Sequence, residues 1–337
     1  MIEKDAGTSG FTGHSPGSGA YRRLLAGLFF GGVATFAQLY APQAVLPLIA
    51  DEADVSAATA ALAVSAATLG LAAAVIPWSM VADRIGRVPA MAIGILGATV
   101  LGIAAPFSPD ITVLLVLRLL EGVALGAVPA IALAYLSEEV DARHAAAAAG
   151  SYIAGTTVGG LSGRLVAGPV ADVADWRVGV WAAAALCAVA AALFVWLVPR
   201  SRGFVPGRFA TRVPGDGDVA GGTAVRAGGI LQRLWAAARG RDRLAVYAQG
   251  FLLMGAFVAV YNYLGFRLSA PPFSLPHTLV TLLFLAYLAG TVSSPWAGVL
   301  ATRHGRLPVL VVSIGVLARG VAVLRRGKKT LAGVLPA

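Results

Sequence analysis

Long apolar stretches separated by short polar loops run through most of the chain. Eight of them have roughly the 20 residues that a helix needs to cross the hydrocarbon core of a bilayer. These eight predicted spans, numbered 1 to 8, lie near residues 24–49, 57–79, 89–107, 111–136, 145–170, 178–198, 244–266 and 278–301. A ninth stretch begins near residue 308 and is interrupted at Arg319. The pattern predicts an all-α polytopic membrane protein with about 8–9 transmembrane helices.

The composition agrees with this fold class. Hydrophobic residues make up 58% of the chain, charged residues 12%, and the mean hydropathy is +0.79. A soluble domain carries roughly twice that share of charged residues. The single cysteine, Cys187, lies in an apolar stretch, so neither a disulfide framework nor a cysteine metal site is expected. The sequence also lacks a P-loop and a dinucleotide-binding motif. We therefore expect no enzyme, no metal and no cofactor.

The basic residues predict which side of the membrane each loop occupies. If the N-terminus is cytoplasmic, nearly all arginines fall on the inside, and only Arg177 and Arg267 lie outside. This asymmetry follows the positive-inside rule. The net charge of +10 then reflects topology and contact with anionic lipid at the cytoplasmic face, and no nucleic-acid partner is expected. We expect a multi-pass protein of the plasma membrane, the inner membrane of bacteria, with a cytoplasmic N-terminus.

Two short polar strings are copies of one another. Ser79-Met-Val-Ala-Asp-Arg-Ile-Gly-Arg-Val-Pro89 follows span 2, and Gly298-Val-Leu-Ala-Thr-Arg-His-Gly-Arg-Leu-Pro308 follows span 8. They align without a gap at an offset of 219 residues, from Ser79 to Gly298. Duplication of a helix, a basic loop and a second helix inside a membrane chain indicates a transporter built from two related halves.

The repeated string resembles the loop signature of the major facilitator superfamily. The matching positions are Asp83, Arg84, Gly86 and Arg87 in the first copy, and Gly298, Arg303, Gly305 and Arg306 in the second, where Thr302 replaces the acid. Gly86 permits a tight turn, and Asp83 can face a helix N-terminus or pair with a neighbouring arginine. The alternative interpretation is an ordinary positive-inside loop.

Two further stretches resemble patterns of the same superfamily. Arg118-Leu-Leu-Glu121-Gly122 in span 4 is similar to a pattern of proton-coupled members, with glutamate in place of glutamine. Gly155-Thr-Thr-Val-Gly159-Gly160 in span 5 is similar to an antiporter pattern without its proline. Residues 151–164 and 255–267 resemble bacterial permeases described as sugar-efflux or drug-exporter-like. The resemblance covers about residues 24–317 and implies the superfamily fold, a small-molecule substrate and a proton as coupling ion. Glycines in these two spans predict close helix packing, at Gly122, Gly126, Gly155, Gly159, Gly160 and Gly163.

Ionisable residues inside the predicted spans are candidate functional sites because burying a charge in lipid is costly. Glu121 is the only carboxylate deep inside any of the eight spans. Arg118 lies three residues earlier, on the same helical face. The two residues therefore either bind a coupling proton or form a structural ion pair. Arg164 in span 5 can extend towards the membrane surface or face a cavity, and the neighbouring glycines favour the cavity.

Uncharged polar and aromatic residues suggest a substrate cavity. Spans 1 and 7 are corresponding members of the two halves, and substrates of such transporters bind between the halves. The candidates are Gln38, Tyr40 and Gln43 in span 1, Tyr152 in span 5, and Tyr261 and Asn262 in span 7. Such a lining suits a neutral polar or amphipathic ligand. The alternative roles are interhelical hydrogen bonds and anchoring of tyrosines at the membrane interface.

The repeat also predicts the domain organisation. We expect a disordered tail at 1–20, an N-terminal six-helix bundle at 21–199, a cytoplasmic linker at 200–243, an incomplete C-terminal bundle at 244–317 and an atypical basic tail at 318–337. Between Arg87 and Val198 the sequence advances 111 positions, but only 31 residues follow Arg306. By repeat symmetry the counterparts of spans 4 to 6 are missing. We expect a frameshift, an early stop or a short variant, and a chain that does not transport alone.

The favoured function is secondary active transport, with proton-coupled efflux of a sugar-like or drug-like compound. An importer or facilitator of the same fold is the first alternative, because the direction of transport is not written in these residues. A truncated membrane protein without independent transport activity is the second.

Overall fold

The computed structural model describes residues 13–141, 143–203, 240–286, 288–289, 300 and 303–332. Within these ranges the regular structure is helical, apart from one isolated bridge between His14 and Val140. The all-α fold class is thereby confirmed. Most of the predicted linker at 200–243, the final residues of the predicted tail at 318–337 and most of the tail at 1–20 lie outside the described residues.

In the described part of the chain, eight helices precede the linker. They are α1 (Gly19–Tyr40), α2 (Leu46–Glu52), α3 (Ala57–Ile85), α4 (Arg87–Ala104), α5 (Ile111–Leu125), α6 (Ala127–Glu139), α7 (Ala145–Val173) and α8 (Trp176–Leu197). A 3₁₀ turn, Ala41–Ala44, connects α1 to α2, and a second one, Ala105–Phe107, ends α4. After the linker come α9 (Arg241–Ser269), α10 (His277–Leu282), which continues into the 3₁₀ turn Leu283–Leu285, and α11 (Arg306–Ala332).

Six of the described segments are long and apolar enough to cross a membrane. They are Gly19–Ala44, Ala57–Ile85, Arg87–Phe107, Ile111–Glu139, Trp176–Leu197 and Leu244–Ser269. Each corresponds to a predicted span. Predicted span 5 is the 29-residue α7, whose glycines, hydroxyl residues and Arg164 lower its apolar content. Predicted span 8 begins in α10, and much of it lies outside the described residues.

Capping side chains fix where several helices begin. The side-chain oxygens of Ser18, Ser56, Asp110 and Asp175 accept hydrogen bonds from backbone N–H groups in the first turns of α1, α3, α5 and α8. These bonds satisfy donors that have no partner inside the helix. The last three caps lie at one end of the bundle, which we call the acidic end, formed by loops 53–56, 108–110 and 174–175. The opposite, basic end is formed by Gly86 and loops 140–144 and 198–203.

A row of glycines on α7 lets this helix approach α1 closely. A Cβ atom added to Gly155, Gly159 or Gly163 would lie 2.2 to 2.6 Å from the backbone oxygen of a residue in α1. The facing oxygens belong to Phe29, Val33 and Ala37, which repeat every four residues like the glycines. Gly122 likewise contacts the backbone of Ala67 in α3. Gly122, Gly155, Gly159 and Gly163 thus lie directly against a helix backbone, whereas Gly160 faces Arg164 and Tyr40.

By its internal contacts the chain divides into two compact units, one ending at Phe284 and the other beginning at Leu285. The first unit contains α1–α8 together with α9 and α10, so it includes helices from both sequence repeats. All site residues discussed below, apart from those of the second loop copy, belong to this first unit.

We expect Gly159→Ala to destabilise the protein, because the new Cβ would lie 2.6 Å from the Val33 carbonyl oxygen. The cost of such overpacking is about 1–3 kcal/mol, measurable as a lower melting temperature in detergent. Gly150→Ala in the same helix is the control, since nothing lies within 4 Å of that position. Equal melting temperatures for the two variants would contradict the close α1–α7 contact.

Candidate functional site

Arg118 and Glu121 form an ion pair inside the bundle. They lie one turn apart on α5, and Arg118 Nη1 is 2.5 Å from Glu121 Oε2. Both side chains are almost fully buried, with 2% and 1% of their surfaces exposed. A charge removed from water needs a partner and further hydrogen bonds to be tolerated. The pair supplies the first requirement, and neighbouring helices supply the second.

The remaining donors of Arg118 bind backbone carbonyls of α1 and α3. Nη2 donates to Leu39 O at 2.7 Å, Nη1 to Gln38 O at 3.3 Å and Nε to Ala63 O at 3.0 Å. The carbonyl of Gln38 would ordinarily accept from the N–H four residues later, but that residue is Pro42, which has no N–H. Arg118 thus replaces a donor that the sequence of α1 removes.

The side chain of Gln38 lies beside this ion pair. Its Nε2 donates to Ala98 O at 2.9 Å and occupies space at Gly102, where an added Cβ would meet it at 1.5 Å. Glu121 Oε1 lies at the same glycine. In the described part of the chain, Oε1 of Glu121 and Oε1 of Gln38 make no hydrogen bond. Gln38 and Glu121 are among the residues that line a cavity of about 10 Å³, close to the space that one water molecule requires.

A second polar cluster surrounds Arg164 on α7. Arg164 Nε donates to Gln43 Oε1 at 2.8 Å, and Nη1 donates to Gly160 O at 2.6 Å. The guanidinium carbon lies 4.4 Å from the centre of the Tyr40 ring and 4.5 Å from that of Phe284, so aromatic rings flank the cation. The side chain is 1% exposed. Arg164 therefore lies inside the protein, enclosed by residues of α1, α7 and the 3₁₀ turn after α10.

The amide of Gln43 joins this cluster to the second repeat. Its oxygen accepts from Arg164, and its Nε2 donates to Asn262 Oδ1 on α9. Gln43 and Asn262 are 219 residues apart, which is the offset of the sequence repeat. Equivalent positions of the two repeats therefore touch each other, as residues do when they lie on a two-fold axis. Tyr261 completes the cluster by stacking on Phe284 at 5.4 Å between ring centres.

The structure separates residues that the sequence placed in one cavity. Tyr40, Gln43, Arg164, Tyr261 and Asn262 come together, whereas Gln38 belongs to the neighbourhood of the ion pair. Tyr152 lies in an apolar cluster at the basic end, with Tyr21 and Leu24 among its members, and takes no part in either group. Phe284 was missed, because a single phenylalanine in an apolar stretch gives no sequence signal.

The first loop signature forms an ion-pair network at the basic end. Arg87 Nη1 lies 2.7 Å from Asp83 Oδ1, and Arg87 Nη2 lies 2.8 Å from Glu138 Oε1 at the end of α6. Gly86 has φ of 99° and Gly305 in the second copy has φ of 88°, values that favour glycine in both turns. Arg84 and Arg303 are exposed. Gly298 and the side chain of Arg306 lie outside the described residues. Glu138 was missed, although acids are rare among these basic loops.

The two arginines predicted on the outer side have partners at the acidic end. Arg177 Nη1 pairs with Glu52 Oε1, and Arg177 Nε donates to Pro106 O at 3.0 Å. The hydrogen bond from Arg177 lowers the pKa of the Glu52 carboxyl below its usual value. Arg267 Nη1 donates to Pro271 O at 3.2 Å, and its guanidinium lies over the Phe273 ring. Glu52 thus neutralises the charge of Arg177, and Pro271 and Phe273 hold the side chain of Arg267 in place.

Apolar helices long enough to cross a membrane surround a buried ion pair and a polar cluster between the sequence repeats, an arrangement typical of membrane transporters. The chain belongs to the Major Facilitator Superfamily, whose family model matches residues 28–325. It is accordingly a multi-pass membrane protein and a transporter of small solutes. The matched range begins four residues later and ends eight residues later than the range expected from the motifs, 24–317.

Individual relatives are transport proteins. The chain is 36% identical over 301 residues to the inner membrane transport protein YnfM of Escherichia coli K12, covering 89% of this chain and 68% of the relative. It is 31% identical over 304 residues to the uncharacterized MFS-type transporter YybF of Bacillus subtilis 168, covering 90% and 71%. Over 148 residues it is 30% identical to the multi-drug resistance efflux pump PmrA of Streptococcus pneumoniae, covering 43% and 37%.

The fold is also that of a solved transporter. The crystal structure of a D-xylose-proton symporter matches with a TM-score of 0.53 at 15% sequence identity, covering 86% of this chain and 70% of the symporter. At this level of identity the match concerns the fold.

The contact between Gln43 and Asn262 predicts an efficient crosslink between the repeats. In a Cys187→Ala background, cysteines at positions 43 and 262 should join through a short thiol crosslinker, so that fragments stay linked after trypsin cuts the arginine-rich segment between them. The control pairs position 43 with Tyr247, which is exposed on α9 and about 22 Å along the helix from Asn262. Equal crosslinking of both pairs would refute the axial contact.

Proposed function

We propose that the protein is a proton-coupled exporter of a sugar-like or drug-like compound, with Glu121 as the proton-binding residue. The observation that carries the proposal is the buried Arg118–Glu121 pair, whose two residues line a small internal cavity. A buried carboxylate exchanges its proton only when its surroundings change, which is what coupling to a conformational cycle requires.

Protonation of Glu121 would remove the negative charge that holds Nη1 of Arg118. Arg118 would keep its bonds to the carbonyls of Leu39 and Ala63, since these do not depend on the carboxylate. The strength with which Arg118 holds the carbonyl groups at the end of α1 would therefore change with the protonation state of Glu121. This places the coupling site in direct contact with a helix end, where small displacements are tolerated better than in a packed helix centre.

Residues 38–43 connect the coupling site to the proposed substrate site. The carbonyls of Gln38 and Leu39 bind Arg118, while the side chains of Tyr40 and Gln43 contact Arg164. A displacement of residues 38–43 would therefore alter the contacts of both Arg118 and Arg164. The 3₁₀ turn Ala41–Ala44 with its internal proline is a natural place for such an adjustment, because 3₁₀ geometry holds its hydrogen bonds less well than an α-helix.

The substrate would bind among Tyr40, Gln43, Arg164, Tyr261 and Asn262. Amide groups and aromatic rings can hydrogen-bond and stack on a neutral polar or amphipathic molecule. The name of one similar protein, a multi-drug efflux pump, supports a drug-like substrate. The site lies between the repeats, where binding can bias their relative movement.

The proposed orientation places the N-terminus and the basic end in the cytoplasm, next to anionic lipid of the plasma membrane. Its support is the position of the basic residues: Arg84, Arg87 and Arg143 lie at the basic end, and Asp51, Glu52 and Asp54 at the acidic end. Proton-driven export then uses the inward-directed gradient that bacterial cells maintain.

In proteoliposomes in which the parent form transports, replacing Glu121 by glutamine should abolish proton movement driven by substrate while leaving substrate binding largely intact. The assay uses proteoliposomes with an imposed pH gradient, an internal pH dye, and D-xylose or ethidium as alternative probes. Glu52→Gln, which removes a carboxylate at the acidic end, should transport like the parent. Unchanged proton flux in Glu121→Gln would mean that Glu121 belongs to a structural ion pair. Proton flux that accompanies only the uptake of substrate would mean that the protein is an importer.

Cysteine labelling tests the orientation. In a Cys187→Ala background, a membrane-impermeant maleimide added to whole cells should modify a cysteine at Asp54 and spare one at Gly215. Permeabilised cells serve as the control in which both positions react. The reverse pattern in intact cells would overturn the proposed topology.

A further inference from the structure

Asp172, in the last turn of α7, binds the first turn of α10 in the second repeat. Its Oδ1 accepts from the backbone N–H of His277 at 2.9 Å and lies 3.0 Å from Nδ1 of the same histidine. Its Oδ2 accepts from the backbone N–H and the hydroxyl of Thr278, both at 2.6 Å. One carboxylate therefore makes four contacts with two consecutive residues of another helix.

This contact replaces a cap that α10 lacks in its own sequence. The residue before α10 is Pro276, whose side chain cannot accept a hydrogen bond. At the same end of the bundle, α3, α5 and α8 are capped by Ser56, Asp110 and Asp175, each the residue that precedes its own helix. The N-terminus of α10 is thus capped from the other sequence repeat, and separating the two would leave its first N–H groups without these bonds.

The helices also pack tightly beside the carboxylate. A Cβ added to Gly168, one turn before Asp172 on α7, would lie 2.2 Å from Cγ2 of Thr281. Thr281 is fully buried by this contact.

We propose that Asp172 is a latch that holds the two repeats together at the acidic end and must release α10 for that end to open. It is a positioning residue, because it acts on the relative placement of helices and touches neither proposed site. The inference rests on the proposed transport function and orientation, in which the acidic end faces the cell exterior. Side-chain exposures of 18% for Asp172 and 14% for His277 leave water close enough to replace the broken bonds.

The latch can be tested without substrate or proton gradient, by measuring how fast an external reagent reaches the α7–α10 contact. Thr281→Cys in a Cys187→Ala background places a thiol at the buried contact. Asp172→Ala should raise its rate of labelling by a membrane-impermeant maleimide about tenfold, the effect of losing a hydrogen-bonded contact of moderate strength. Asp172→Asn should give a smaller increase, because its amide keeps one oxygen acceptor and loses the other.

Asp175→Asn is the matched control, because Asp175 caps its own helix and should leave the labelling rate at the parent value. Elution as a single detergent peak, and complete labelling after denaturation, show that each variant is folded and carries a reactive thiol. Should Asp172→Ala fail to fold, Asp172→Asn decides alone. Labelling of the parent as fast as that of the Asp172 variants would overturn the latch. So would an equal increase in Asp175→Asn. Loss of proton coupling in Glu121→Gln bears on the proposed function and leaves this result unaffected.

Discussion

Buried polar groups in a membrane protein must find partners inside the protein, and the bonds of Arg118 show how strongly this constrains the structure. Pro42 takes away the donor that the Gln38 carbonyl would otherwise use, and the guanidinium of Arg118 replaces it. The same side chain binds Glu121 and the Ala63 carbonyl. It therefore joins the end of α1 to α3 and α5, and the placement of both proposed sites depends on that junction.

The two proposed sites are adjacent because one short segment serves both. Its carbonyls bind Arg118 and its side chains contact Arg164, which α7 brings close because glycines allow α7 to lie directly on α1. A larger residue at Gly159 would move α7 away from the carbonyl of Val33, and Arg164 with it. Helix packing at the glycines is thus a condition for the chemistry at the polar cluster, although the glycines contribute no polar group.

The contact between Gln43 and Asn262 joins equivalent positions of the two sequence repeats. Equivalent positions in two related halves meet only on the axis that relates them. The repeats nevertheless differ at these positions, where an amide with one extra methylene faces a shorter one. Of this pair, Gln43 is the residue that accepts a hydrogen bond from Arg164.

Several features follow from the sequence alone. The lengths of the apolar stretches predict the helices that can cross a membrane, because hydrocarbon thickness sets a length that needs no tertiary information. The duplicated loop and the span 4 motif indicate the family, which the family match confirms. The Arg118–Glu121 pair is also predictable, since residues three apart share a helix face and can bond within one helix.

Other features were decided by tertiary structure. Spacing along α1 suggested one cavity for Gln38, Tyr40 and Gln43, but the helix ends at Tyr40 and turns, so Gln38 faces α4 while Gln43 faces α7 and α9. Tyr152 lies on α7 like Arg164, yet twelve residues separate them and it is buried in the apolar cluster at the basic end. The roles of Phe284, Glu138 and Asp172 depend on partners 23 or more residues away in the sequence. Sequence spacing fixes directions within one helix, whereas the neighbour that a side chain meets is fixed only when helices pack.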